Sequence, residues 1–114
     1  LAIGSASGVD LHERRQGTWV HAQHLDAPGD YGSSIAFGTT VSMADDWLAV
    51  GAYGATVEGQ FGAGVVYLYR REGSQWERMQ VLHAPTVVSL EFYGRFVTLA
   101  DGYLFARNHP VLGG

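Results

Sequence analysis

Leu48-Ala49-Val50-Gly51-Ala52 restates Leu1-Ala2-Ile3-Gly4-Ser5, and the residues that follow the two copies restate each other as well. The run from Trp76 to Pro85 keeps Trp, Gln, Leu, Ala and Pro in step with the run from Trp19 to Pro28. Tyr93-Gly94 echoes Tyr31-Gly32, and Ala100-Asp101-Gly102-Tyr103-Leu104 echoes Ala44-Asp45-Asp46-Trp47-Leu48. The offsets run from 47 residues (Leu1 to Leu48) to 62 (Gly32 to Gly94), so loop lengths vary around a unit of roughly fifty residues. A period of that size, if built from strands, points to an array of small supersecondary units, most often propeller blades.

Composition agrees. Sixteen glycines among β-branched and aromatic runs favour short strands and tight turns over helices. A net charge of -4 argues against a duplex nucleic-acid binder, which carries a basic patch. The local basic pairs, Arg14-Arg15 and Arg70-Arg71, sit at equivalent strand ends and read as solvated. With no cysteine, disulfide and thiolate chemistry are excluded. No apolar stretch reaches the roughly 18 residues of a membrane-spanning helix.

Nine strands are expected, at 1–5, 9–14, 19–27, 33–41, 48–52, 65–71, 75–84, 94–99 and 103–106. Residues 48–52 are apolar at every position, which predicts burial on both faces, and Gly51 and Ala52 leave room for another backbone to approach. Residues 66–69 read the same way, whereas the strands that begin at Trp19 and Trp76 mix polar with apolar residues. A radial sheet explains this gradient, with inner strands sandwiched and the outermost strand wet. Trp19 and Trp76 hold equivalent places and are expected to pack between blades, with a platform for sugar rings as the alternative.

The chain resembles the FG-GAP repeat of integrin-α-like β-propellers, in a bacterial style. Tyr31-Gly32-Ser33-Ser34-Ile35-Ala36 is similar to the FG-S-S-V-A opening, and Leu48-Ala49-Val50-Gly51-Ala52-Tyr53 to L-A-V-G-A-P. The run from Gly62 to Arg71 resembles the third strand, and Trp76 to Leu82 the fourth. The resemblance implies an all-β fold: roughly two four-stranded antiparallel blades of a β-propeller, with incomplete blades at both ends. The division expected is 1–28 partial, 29–85 complete and 86–114 partial and degenerate. The calcium loop common in the family is absent, because Met43-Ala44-Asp45-Asp46-Trp47 offers only two adjacent carboxylates where calcium takes six to eight oxygens. No cofactor or metal is therefore expected. Arg107 replaces the small residue of an inner strand in the last unit. The chain reads as a piece of a longer propeller, with closure by identical subunits as the alternative.

Catalytic constellations are thin. His21 and His24 are three apart on a strand, so alternation sends them to opposite faces. His12, His83 and His109 fall in different elements. Gly59-Gln60-Phe61-Gly62-Ala63-Gly64 leads into a strand, without the helix N-terminus that a phosphate loop uses, and reads as a flexible connection. Not an enzyme is the expectation. In a propeller, the loops from second to third strand and from fourth to first emerge on one face, which here collects Asp30, Tyr31, Tyr53, Glu58, Gln60 and Phe61 as candidate binding residues. The expected role is a non-catalytic binding, adhesion or scaffold module with a protein or glycan partner. The alternatives are a segment of a propeller enzyme whose active site lies in the central channel, and a glycan-binding propeller. An extracellular or cell-surface setting is implied by the resemblance alone.

Overall fold

The computed structural model describes residues 1–5, 8–26, 28, 36–84, 93–100 and 103–107. These form nine strands: β1 (Ala2–Ser5), β2 (Gly8–Arg15), β3 (Thr18–Asp26), β4 (Thr40–Ala44), β5 (Trp47–Ala52), β6 (Val65–Glu72), β7 (Gln75–Leu82), β8 (Phe96–Ala100) and β9 (Tyr103–Arg107). They make three antiparallel sheets in chain order: sheet 1 is β1-β2-β3, sheet 2 is β4-β5-β6-β7 and sheet 3 is β8-β9. Among the described residues there is no helix, and so none long and apolar enough to cross a membrane. The fold is all-β, with the sheets stacked as propeller blades are.

Sheet 2 is the middle layer, and its side chains divide between two cores with the period of two that a strand imposes. Leu48, Val50, Ala52, Val65, Tyr67 and Tyr69 pack with Val9, Leu11 and Leu25 of sheet 1. Ala49 and Val66, on the opposite face, pack with Val97 of sheet 3, flanked by Leu68, Leu82, Leu99 and Leu104. Burial on both faces of residues 48–52 and 66–69 is thus what the continuous apolar texture required.

The layers come closest at paired glycines. A β-carbon on Gly51 would lie 2.0 Å from the carbonyl oxygen of Gly94, and one on Gly4 would lie 1.5 Å from that of Gly38. Gly38 and Gly94 both have positive φ, 88° and 90°, and each abuts the next equivalent pair: Gly8 and Val9 for the first, Val65 and Val66 for the second. Gly38 and Gly94 are therefore the repeat-equivalent glycines, and Phe37-Gly38, not Tyr31-Gly32, is the counterpart of Tyr93-Gly94.

That register corrects the fourth expected strand. Among the described residues the β4 ladder begins at Thr40, because Ala36 (φ 68°) and Gly38 turn the chain and the Thr39 N–H donates to the Ala36 carbonyl. The earlier part of that expected strand, residues 33–35, lies outside the described residues. Asp45-Asp46 is a two-residue hairpin turn between Ala44 and Trp47, too short to wrap a cation.

Candidate functional site

Two of the six candidate residues, Asp30 and Tyr31, lie outside the described residues. The other four fall in the 53–64 connection, which is not the flexible loop its glycines suggest. Val57 and Gln60 exchange backbone hydrogen bonds (2.8 and 3.2 Å) around a Glu58-Gly59 turn with φ of 51° and 79°. The Gly64 N–H closes on the Ala55 carbonyl, and Ala55, Val57 and Ala63 are buried in the core between sheets 1 and 2. This small hairpin presents Glu58, Gln60 and Phe61 to solvent, Phe61 being 56% exposed. Tyr53 is half-buried at the base, with the Arg95 guanidinium 5.8 Å from its ring centroid. The Tyr93 N–H donates to the Ala63 carbonyl at 2.9 Å, so the connection into β8 meets this loop at the same end of the sheets. Burial pushes the Tyr93 hydroxyl above the usual tyrosine range.

A cleft of about 410 Å³ opens at the opposite end, between sheets 1 and 2, with Leu11, Met43, Glu13, Arg71 and Trp76 among its lining residues. Two polar links cross it. The Gln23 carboxamide brackets the Trp76 main chain, accepting from its N–H at 2.8 Å and donating to its carbonyl at 3.2 Å. Glu13 accepts from Arg15 (2.6 Å) and from Arg71 of the neighbouring sheet (3.2 Å). The two guanidinium groups, Arg15 above all, hold its carboxyl below the ordinary glutamate range. The arginine pairs at the strand ends are thus partly spent on ion pairs. Trp76 is half-buried against the core, as expected of inter-blade packing, whereas its counterpart Trp19 is 51% exposed.

The histidines require a correction. His21 Nε2 and His24 Nδ1 lie 2.9 and 2.8 Å from the same oxygen, Oδ1 of Asp10, so both side chains share one face of sheet 1. The cause is a β-bulge. Leu11 pairs with Gln23 but His12 pairs with His21, leaving Ala22 as an extra residue that resets the alternation. Sheet 2 carries the same bulge, with Met79 as the extra residue, and there it places Arg78 over the Tyr67 ring at 5.7 Å. Because a carboxylate only accepts, both imidazoles donate to Asp10, and these bonds, His24 first, hold the Asp10 carboxyl below its usual range. His24 Nε2 also lies 3.3 Å from Asp26, and the His12 ring meets His21 edge-on at 5.4 Å. No group of three or more metal-ligating side chains converges on a common cation position among the described residues.

Two stacked sheets with repeat-equivalent bulges, turns and glycine contacts are units of one repeat, and residues 19–69 match the family model of that repeat. This stretch is an FG-GAP repeat. The match runs from β3 through β6, across the junction of sheets 1 and 2 where the Gly4–Gly38 contact lies. No curated protein and no solved structure matches the chain. Nothing in the sequence pointed to the Gln23 clamp or the Asp10 cluster. The first needs the stacking of two sheets, and the second needs a bulge that no turn residue announces.

Proposed function

We propose that the chain is a non-catalytic, protein-binding segment of an FG-GAP β-propeller, serving adhesion or scaffolding through the end of the sheets that carries residues 53–64. The observation that carries this reading is the hydrogen-bonded, core-anchored hairpin that holds Phe61 in solvent. A large aromatic group exposed on a rigid loop loses little conformational freedom on binding and supplies apolar area, which is the chemistry of an interface anchor. Glu58 and Gln60, exposed on the same hairpin, and Tyr53 at its base add polar groups suited to a rim.

The test is affinity capture with the immobilised chain and its Phe61→Ala variant, run beside a glycan array. Specific protein partners retained by the native chain and lost with Phe61→Ala support the reading. An identical retained set for both proteins, or Phe61-dependent binding of glycans in place of proteins, would overturn it.

A further inference from the structure

His24 sits between two carboxylates in a way that a neutral imidazole cannot satisfy. Its Nδ1 lies 2.8 Å from Oδ1 of Asp10, and its Nε2 lies 3.3 Å from Oδ1 of Asp26. An ionised carboxylate only accepts, so Nδ1 carries a proton and donates it to Asp10. In a neutral ring the other nitrogen is then an acceptor, and its lone pair would face the Asp26 carboxylate. Only the imidazolium, with a proton on each nitrogen, suits both contacts.

The backbone makes room for this ring. A β-carbon on Gly8 would lie 3.1 Å from His24 Nε2 and 3.2 Å from its Cε1. In the β2–β3 ladder Gly8 pairs with Asp26 and Asp10 with His24, so the four residues occupy two rungs of one face. The corresponding residues of sheet 2 are Val65, Tyr67, Val81 and His83, with no carboxylate among them. The histidine, its two acids and the glycine beneath it thus depart from the other unit together. Among the described residues, the other titratable or charged side chains on that face are His21, which donates to Asp10 (2.9 Å), His12, whose ring meets His21 edge-on, and Arg14 farther along β2. Strand β1, Ala2–Ser5, contributes none.

We propose that His24 is a pH-controlled latch within sheet 1. As an imidazolium it ties Asp10 of β2 to Asp26 at the end of β3. On losing its proton it keeps Asp10 and releases Asp26. The released end is the one that bears on sheet 2, because Asp26 pairs with Gly8 and the Gly8 carbonyl lies against Gly38. The latch is internal to one sheet, so it operates whatever packs against that face, and it is independent of the 53–64 loop.

Proton–nitrogen NMR spectra of the imidazoles in the full 114-residue chain, assigned with His12→Gln and His21→Gln variants, test this. At pH 7 His24 should be mostly protonated on both nitrogens, and it should titrate above the ordinary histidine midpoint of about 6.5. A histidine held charged by the fold contributes its full stability below that ordinary value, and the contribution is lost as pH rises through the folded midpoint. The melting temperature should therefore fall across the His24 titration, and amide protection at Gly8 and Asp26 should fall with it. The Asp26 side chain is 92% exposed, so Asp26→Asn should leave the fold intact. It should raise the neutral share of His24 at pH 7 about 1.5- to 5-fold, the worth of an exposed ion pair. In that variant, protection at residues 8 and 26 should no longer follow the His24 titration. A ring nitrogen left unprotonated at pH 7, a titration unmoved by Asp26→Asn, or protection at Gly8 and Asp26 that ignores the titration would overturn the proposal.

Discussion

Replacing Gly51 by alanine isolates the contact that sets the spacing of sheets 2 and 3. Gly51 does not have positive φ, so its backbone accepts alanine without strain, and on conformational entropy alone the change should stabilise the strand by about 0.5–1 kcal/mol. Packing opposes it. The new methyl carbon would sit 2.0 Å from the Gly94 carbonyl oxygen, and reaching an ordinary contact of 3.4 Å requires a displacement of about 1.4 Å. The obstructing atom belongs to the backbone, on a glycine itself wedged against Val65 and Val66, so no side-chain rotation relieves the clash. Overpacking costs about 1–3 kcal/mol, and a clash that only backbone movement can relieve falls at the upper end, about 2–3 kcal/mol, so steric cost should exceed the entropic gain by about 1–2.5 kcal/mol. With an m-value of about 2 kcal/mol/M, the urea midpoint should fall by about 0.5–1.2 M. Gly4→Ala should behave likewise through Gly38, at the junction of sheets 1 and 2. A midpoint that rises or stays unchanged in Gly51→Ala would refute the reasoning, because entropy alone would then describe the site.

Two further outcomes follow from the polar links. Gln23→Ala removes both hydrogen bonds to the Trp76 main chain, and at about 0.5–1.5 kcal/mol each should cost about 1–3 kcal/mol, with faster amide exchange at Trp76. Unchanged exchange there would mean that the clamp is not formed in solution. His24 and His21 hold the Asp10 carboxyl, and Arg15 above all the Glu13 carboxyl, below the ordinary carboxylate range of about 4–4.5, so their stabilising contribution is complete above that range and is lost as pH falls through the lower folded values. The melting temperature should therefore drop on acidification below pH 4.5, and an Asp10→Asn, Glu13→Gln double variant should show a shallower acid limb. Parallel acid limbs for the two proteins would sink that assignment.

What could be read in the sequence was what depends on neighbours along a strand. The uninterrupted apolar run Leu48-Ala49-Val50 predicted two buried faces, and Gly51 predicted the close backbone approach that Gly94 makes. The turn signal at Asp45-Asp46 was legible, and these two residues form the tight turn between β4 and β5. Register was harder. Tyr31-Gly32 and Phe37-Gly38 are both an aromatic residue before glycine, and only the contact of the Gly38 carbonyl with Gly4 distinguishes the structural one. The 53–64 loop was misread because its glycines outweighed Val57, Ala55 and Ala63, whose burial turns it into a small hairpin around Glu58-Gly59. Strict alternation also failed at Ala22, an ordinary residue whose role as the bulge is fixed by pairing with β2.

That bulge separates what a position does for the backbone from what it does chemically. At Ala22 and at Met79 the extra residue is unpaired and different in kind, yet each strand recovers its pairing on both sides. The side chain just before each extra residue lies on the face it would otherwise avoid: His21 beside an acid in one unit, Arg78 beside an aromatic ring in the other. A repeat built this way has an interchangeable socket, where a new functional group can be installed by substitution in a single unit while the ladder, the turns and the glycine contacts of its neighbours stay as they are.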